Sequence, residues 1–351
     1  MERPIKTELV RSFTTASIDF TGSRRKFIKQ SGLGILAFTF PVPLKEFHMN
    51  TDNKKFDVII IGGSYSGLAA AMALGRALKH VLIINDGKPC NAQTPYSHNF
   101  LTQDGNTPAG IASMGKQQIE KYDNVKFFNG FASKGNKIDK GFEILMETGE
   151  TFQALKLIFA TGIKDVMPKI EGFSQCWGIS AIHCPYCHGY EVRNTRTGIL
   201  GNGDYAFELA KMISNWTLDL TIYTNGASTM TNEQLTRLKS HNITIVEKQI
   251  KKLEHIEGHI QNIVFRDGKK SLLNTMYSPR PFIQHCTIAE SLGCAMTEDG
   301  YIKTDPFQQT SIEGIYASGD NASRFRTLAN AVAMGTAAGM AASKKLILEQ
   351  F

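Results

Sequence analysis

Two cysteines separated by two residues, Cys184 and Cys187, lie between His183 and His188 in the stretch His183-Cys184-Pro185-Tyr186-Cys187-His188-Gly189-Tyr190-Glu191. A C-x-x-C pair can open and close a small disulfide, and imidazoles beside it help to form the reactive thiolate. The same letters spell other chemistry. Cys184-x-x-Cys187-His188 matches a c-type haem attachment site. Two thiolates with His183 or His188 supply part of a zinc site, and two small residues near a turn also pack as plain core. These residues alone leave the four readings open.

The chain that must position them has 351 residues, 42% of them apolar, and 31 glycines. That is enough to bury a core in two α/β domains and is unlike a disordered chain. Six cysteines are too few here for a disulfide framework. Cys90, Cys176, Cys286 and Cys294 stand alone and read as small core or surface residues. The net charge is +7. Residues 1–53 hold eight Lys/Arg against five Asp/Glu, which is +3, and leave +4 spread along the remainder. Such a spread is a solvated surface and argues against a nucleic-acid partner.

Residues 1–53 read as a leader. Ser23-Arg24-Arg25-Lys26-Phe27-Ile28-Lys29 is a twin-arginine pattern, followed by an apolar run from Gly32 to Leu44 that Pro41 and Pro43 interrupt. The run is short for a bilayer span, so no stable membrane insertion is expected, and export to the periplasm is. Translation from Met49, just before the first strand, would instead give a cytoplasmic protein.

From Phe56 onward the pattern alternates strand and helix. Val58-Ile59-Ile60-Ile61 reads as a buried strand, Gly62-Gly63-Ser64-Tyr65-Ser66-Gly67 as a glycine turn, and Leu68 to Leu78 as a helix. In this G-x-S-x-x-G turn Gly62 allows the tight bend, Gly67 lets helix and strand approach, and the helix N-terminus can face a pyrophosphate. The second strand, Val81 to Ile84, ends at Asn85-Asp86, where a ribose-binding acid is expected. Val125 to Phe128, Phe142 to Met146 and Leu157-Ile158-Phe159-Ala160-Thr161-Gly162 read as further strands. After the cysteines comes a second strand–turn–helix, Gly201-Asn202-Gly203-Asp204-Tyr205-Ala206, of form G-x-G-x-x-A. Its second strand, Leu220 to Tyr223, runs into Thr224-Asn225-Gly226, with no acid for a ribose and no arginine for a 2′-phosphate. Near the C-terminus a strand ends in Gly319-Asp320, and Leu328 to Leu348 forms a small-residue helix with Gly335 and Gly339, read as core packing.

Taken in order, G-x-S-x-x-G, Ala160-Thr161-Gly162, C-x-x-C, G-x-G-x-x-A and Gly319-Asp320 resemble the low-molecular-weight thioredoxin reductase family over residues 56–351. The resemblance implies an α/β fold of two Rossmann-like dinucleotide-binding domains, with the nicotinamide domain inserted into a split FAD domain. Residues 54–167 and 287–351 would form the FAD domain, and 168–286 the NAD(P)-binding domain with the C-x-x-C. It implies that FAD lies against Gly62, Gly63, Ser64, Ser66, Gly67, Asn85, Asp86, Asn99, Thr161, Gly162, Gly319 and Asp320. NAD(P)H would lie at Gly201, Gly203 and Ala206. In three places the chain departs from the family pattern. His188 follows the second cysteine where an acid is common, which is closer to the gliotoxin type of dithiol oxidase. The arginines for a 2′-phosphate are absent after Tyr223, and Leu328-Ala329 stands where an Arg-Gln pair is expected.

By the same resemblance Cys187 exchanges electrons with the flavin, Cys184 forms the mixed disulfide with substrate, and rotation of the inserted domain alternates access. His188 is the expected proton carrier, with His183 as runner-up, since imidazole titrates near ~6.5. The expected activity is an NAD(P)H-dependent disulfide reductase that serves a thioredoxin-like protein or a small disulfide, working as a homodimer. The alternatives are an oxygen-dependent dithiol oxidase, and a non-catalytic flavin- or metal-binding protein.

Overall fold

The structure is a computed structural model and describes residues 54–351. The expected leader therefore lies outside the described residues. Among the described residues no helix is long and apolar enough to cross a membrane.

The first strand, Lys55–Ile61, is buried along nearly its whole length, as a central parallel strand covered on both faces must be. It pairs in parallel with Val81–Asn85 on one side and Thr151–Phe159 on the other, and Val125–Asn129 extends the sheet beyond Val81–Asn85. The long strand Thr151–Phe159 forks on its outer edge. Its first half pairs antiparallel with Gly141–Met146, which is joined in turn to Ala132–Ile138. Its second half pairs in parallel with Ile315–Ala317 from the far end of the chain. One sheet is thus completed by two stretches separated by more than a hundred residues of sequence.

The intervening stretch builds its own five-stranded parallel sheet. Its order is Thr244–Val246, Leu220–Tyr223, Thr197–Leu200, Thr275–Tyr277 and Ala181–Ile182. A three-stranded antiparallel sheet, Ile250–Ile256, His259–Phe265 and Lys270–Leu272, packs beside it. The chain crosses between the two large sheets twice, through Ile163–Asp165 and Phe282–Gln284, and these two short strands pair antiparallel with each other. They lie next to the domain boundaries expected at 167 and 286.

Helices Tyr65–Arg76 and Leu328–Gln350 cover one face of the first sheet, where Val58, Ile60, Leu74, Ile158, Tyr316 and Ala342 interlock. The first helix begins earlier than its apolar pattern suggests and stops at Arg76. Leu78 is exposed and left-handed (φ 57°), and the amides of Leu78 and Lys79 close the helix end on the carbonyls of Gly75 and Leu74. The long C-terminal helix crosses the first one where neither can carry a side chain. A Cβ on Gly335 would run into the Ser66 carbonyl, and one on Gly339 would stand 2.5 Å from the Ala70 carbonyl oxygen.

Gly335→Ala should therefore lower stability by about 1–3 kcal/mol, the usual cost of overpacking a tight contact. Guanidinium unfolding of the full chain measures it, and an unchanged midpoint would contradict the reading of this crossing.

Candidate active site

The strand order of the first sheet reverses about Lys55–Ile61, and at such a reversal open α/β sheets hold their ligands in the crevice at the carboxyl ends of the strands. The resemblance-derived residues gather in it. Gly62 has φ 109°, and a Cβ there would strike the Ala160 carbonyl; a Cβ on Gly67 would strike the carbonyl of Gly62. Only glycines let strand, turn and helix pack this closely. Gly63 lies against Asn85, whose side chain would be 2.7 Å from a Cβ at that position. Ser64 is the N-cap of the first helix but makes no capping hydrogen bond, and the first turn carries no acid. That helix end keeps its N–H groups and its positive dipole free for an anion.

Ser66 Oγ donates to Ser318 Oγ at 2.7 Å and so ties the turn to the residue before Gly319-Asp320. Asn321 Nδ2 donates to the Phe159 carbonyl at 2.9 Å and to Thr161 Oγ1 at 3.2 Å, which draws Thr161 and left-handed Gly162 into the same crevice. At the far side Asp86 meets His285 Nε2 at 3.2 Å. Backbone cradle, open helix end and polar rim together fit FAD. Asn99 sits in the loop closed by the Ser97–Asn106 bridge, with φ 58° and its amide donating to Asp104 at 2.7 Å.

A charged group lies in the crevice wall. Arg326 donates from both Nη atoms to the Asp165 carboxylate at 2.9 and 2.8 Å, and its Nε stands 3.5 Å from Asp320. Burial raises the Asp320 pKa, and Arg326 partly offsets this. Cys90 is in contact with solvent, but desolvation of its thiol by the surrounding protein, and then the charge of Asp320, push it up to about 12. It stays a neutral thiol around pH 7. Cys176, Cys286 and Cys294 are buried and unpaired.

Cys184 and Cys187 form a disulfide with Cα atoms 5.3 Å apart. The turn that makes this possible is local. Pro185 opens a four-residue helix, Pro185–His188, and Cys184 is its N-cap, with the Cys187 amide donating to Cys184 Sγ at 3.2 Å. Gly189 follows because a Cβ there would stand 2.9 Å from Trp216 Nε1 and strike the Pro185 carbonyl. Tyr186, between the cysteines, is 65% exposed and lies edge-on to Trp216 at 5.6 Å. Among the described residues no three His, Cys, Asp or Glu side chains converge as a metal site requires.

The cysteine turn packs against the first domain. The His188 ring meets the His98 ring edge-on at 6.3 Å, and Glu191 Oε1 lies 3.6 Å from His98 Nδ1. Burial lowers the pKa of His188, the charge of His98 lowers it further, and Glu191 pulls the other way. His183 stacks on Trp177 at 5.9 Å, and its Nε2 is buried without a partner. Burial, then the nearby Arg326 charge, hold it well below the ordinary imidazole range. His183 is thus a neutral wall residue, and His188 is the imidazole at the disulfide that keeps a route to other polar groups.

The second glycine turn forms a separate site in the inserted sheet. A Cβ on Gly201 would be 3.3 Å from that of Ala206, so this turn also packs tightly. It differs from the first in one respect. Asn202 Oδ1 accepts from the Gly203 amide at 2.8 Å, the Thr229 amide at 2.9 Å and Thr229 Oγ1 at 3.2 Å, while Nδ2 donates to the Ala227 carbonyl at 2.8 Å. The loop after Tyr223 is clasped onto the turn. Asn225, at the ribose position, instead accepts from the Ile250 amide at 2.7 Å.

His98, Asp165, Arg326 and His285 were not singled out from sequence as site residues, because each reaches the site from a distant element. Asn202 carried a signal, since asparagine is a favoured N-cap.

The sequence profile of the pyridine nucleotide-disulphide oxidoreductase family matches residues 56–335. The thioredoxin reductase tcpT of Claviceps purpurea is 32% identical over 86% of this chain and 97% of its own length. The thioredoxin reductase sirT of Leptosphaeria maculans is 29% identical over 81% and 92%. The crystal structure of an oxidoreductase from Agrobacterium tumefaciens superposes with a TM-score of 0.79 at 34% identity, covering 84% of this chain and 99% of that one.

Proposed function

The chain belongs to the pyridine nucleotide-disulphide oxidoreductase family, whose thioredoxin reductase-like members use FAD and NAD(P)H, and from that premise we propose that it is a thiol–disulfide oxidoreductase working through Cys184 and Cys187. The observation that carries the reading is the packing of the cysteine turn on the FAD-binding half through His188, Glu191 and His98. FAD, when bound, supplies or accepts the electron pair that interconverts disulfide and dithiol.

The protein's own residues do the exchange. In the reduced pair the Cys187 amide that faces Cys184 Sγ favours the Cys184 thiolate. That thiolate attacks a substrate disulfide and forms a mixed disulfide, and His188 moves a proton at the departing sulfur. Cys187 then attacks Cys184 Sγ, releases the second substrate thiol and restores the Cys184–Cys187 bond. Two electrons and two protons leave the enzyme in each cycle, and NAD(P)H with a proton replaces them. The substrate is a thioredoxin-like protein or a small disulfide, met on a rim where Tyr186 and Tyr190 are 65% and 67% exposed.

A second reading, oxidation of a small dithiol with oxygen as acceptor, has a specific support. The Asn202 clasp ties up the Gly203 amide that a nicotinamide pyrophosphate would use, and no arginine follows Tyr223. A neutral His188 also suits a base that takes protons from a substrate dithiol. The first reading expects rapid anaerobic bleaching of the flavin by NADPH or NADH. The second expects slow bleaching by either, and reoxidation in air within turnover after reduction by a dithiol.

The cysteines have unequal roles. Cys184→Ser should leave a Cys187 thiolate beside the oxidised flavin and a long-wavelength absorbance band, Cys187→Ser should lack the band, and both should stop turnover. Equal spectra, or one fully active variant, would contradict the assignment. Asn202→Gly should free the second turn and make nicotinamide binding about tenfold tighter, the worth of roughly one hydrogen bond. Titration of the inserted domain's fluorescence with NADPH and NADH measures it, and unchanged affinity would remove the clasp from the argument.

Export is part of this reading. Arg24→Lys/Arg25→Lys should retain the full-length protein in the cytoplasm, followed by cell fractionation, and an unchanged location would remove the twin-arginine address.

A further inference from the structure

We propose that His98, from the FAD-binding half, is a positioning residue for the reaction: it sets the charge of His188 beside the disulfide. The inference rests on the reading of His188 as the proton carrier. It goes beyond that reading by assigning a task to a residue in the other half of the molecule.

His98 is held in place by its own loop. Ser97 and Asn106 bridge, the Ser97 amide donates to the Asn106 carbonyl at 2.8 Å, and left-handed Asn99 turns its amide to Asp104 at 2.7 Å. The His98 side chain is only 18% exposed. Its Nδ1 lies 3.7 Å from Asp104 Oδ1 of the same loop and 3.6 Å from Glu191 Oε1 of the cysteine segment. The remaining groups around the pair come from three elements. His188 stands on the short helix, Tyr277 at a strand end feels the charge of Glu191, and buried His183 feels those of Arg326, Asp165 and His188.

His98 faces two carboxylates, Asp104 and Glu191, and its ring centre lies 6.3 Å from that of His188, so a positive charge on one ring disfavours a positive charge on the other. At that separation the repulsion is felt and pushes the His188 pKa downward. The direction of the His188 shift agrees, with burial first and His98 second among its causes. Burial first, and His98 second, favour the neutral form of His188, which can take a proton from a thiol. Because the two imidazoles belong to different halves, the effect exists only while the halves pack in this arrangement. His188 is a competent base when the cysteine turn is docked.

The sign follows directly. Without the His98 charge, the protonated form of His188 loses a repulsion and keeps the attraction of Glu191. Its pKa rises, the neutral form is populated only at higher pH, and the acid limb of the rate profile moves upward.

The test uses the full-length, FAD-loaded enzyme with dithiothreitol as reductant of the Cys184–Cys187 bond, under anaerobic conditions. His98→Gln removes the charge, and His98→Lys keeps one. NMR of histidine-labelled oxidised enzyme reads the His188 midpoint independently of any rate. His98→Gln should raise both the midpoint and the acid limb of the exchange rate. His98→Lys should leave both near the wild-type position. A midpoint unmoved in His98→Gln, or moved equally in His98→Lys, overturns the proposal. His188→Ala separates this from the reading beneath it. An exchange rate changed less than a few-fold across pH 6–9 in that variant would remove His188 as proton carrier, whereas a failed midpoint shift with an impaired His188→Ala enzyme rejects His98 alone.

Discussion

Ser66 sits where three parts of the chain meet with no space to spare. Its carbonyl leaves no room for a Cβ on Gly335, its hydroxyl donates to Ser318 at 2.7 Å, and its own Cβ lies 3.1 Å from where one on Gly319 would be. Much of the first site follows from this contact. It holds the N-terminus of the first helix against the last strand and brings Gly319 and Asp320, remote in sequence, to the mouth of the glycine turn. It also fixes the long C-terminal helix across the sheet.

The crevice is charged as well as shaped. Arg326 pairs with Asp165 on a connecting strand and faces Asp320 at the end of the last strand. A buried ion pair of this kind contributes little net stability, but removing one partner leaves an uncompensated charge and costs about 3–5 kcal/mol. Its consequence here is geometric. The strand that leads into the inserted sheet is tied to the FAD-binding half at the point where the chain crosses. His183 lies close enough to feel the same guanidinium. The cysteine turn therefore approaches a wall whose charges are already paired among themselves.

Much of this was legible in the sequence, for reasons particular residues show. The strand and turn around Gly62 to Gly67 and around Gly201 to Ala206 are local patterns, and their steric need for glycine or alanine is written in the residue types. The C-x-x-C became interpretable once its order among the other motifs was considered. Other features were hidden. The antiparallel strands of 250–272 alternate with many charged residues and resemble loop, although Glu257-Gly258, both left-handed, form the two-residue turn that marks a hairpin. Arg326 and His98 carry no motif, since their importance arises from partners 161 and 93 positions away in sequence. Leu78 ends its helix by a left-handed turn that its residue type does not announce.

The two dinucleotide turns have the same local fold and different surroundings: one helix end is open, and the other is clasped by Asn202 and Thr229. Whatever the direction of electron flow, the account requires FAD and the Cys184–Cys187 pair to behave as one redox unit. Anaerobic reductive titration of the FAD-loaded enzyme with dithionite tests this directly. Two electrons for the flavin and two for the disulfide predict roughly four electron equivalents per FAD in the wild-type enzyme, and about two in Cys184→Ser. A wild-type enzyme that is fully reduced by two equivalents, with its disulfide left intact, would contradict the account.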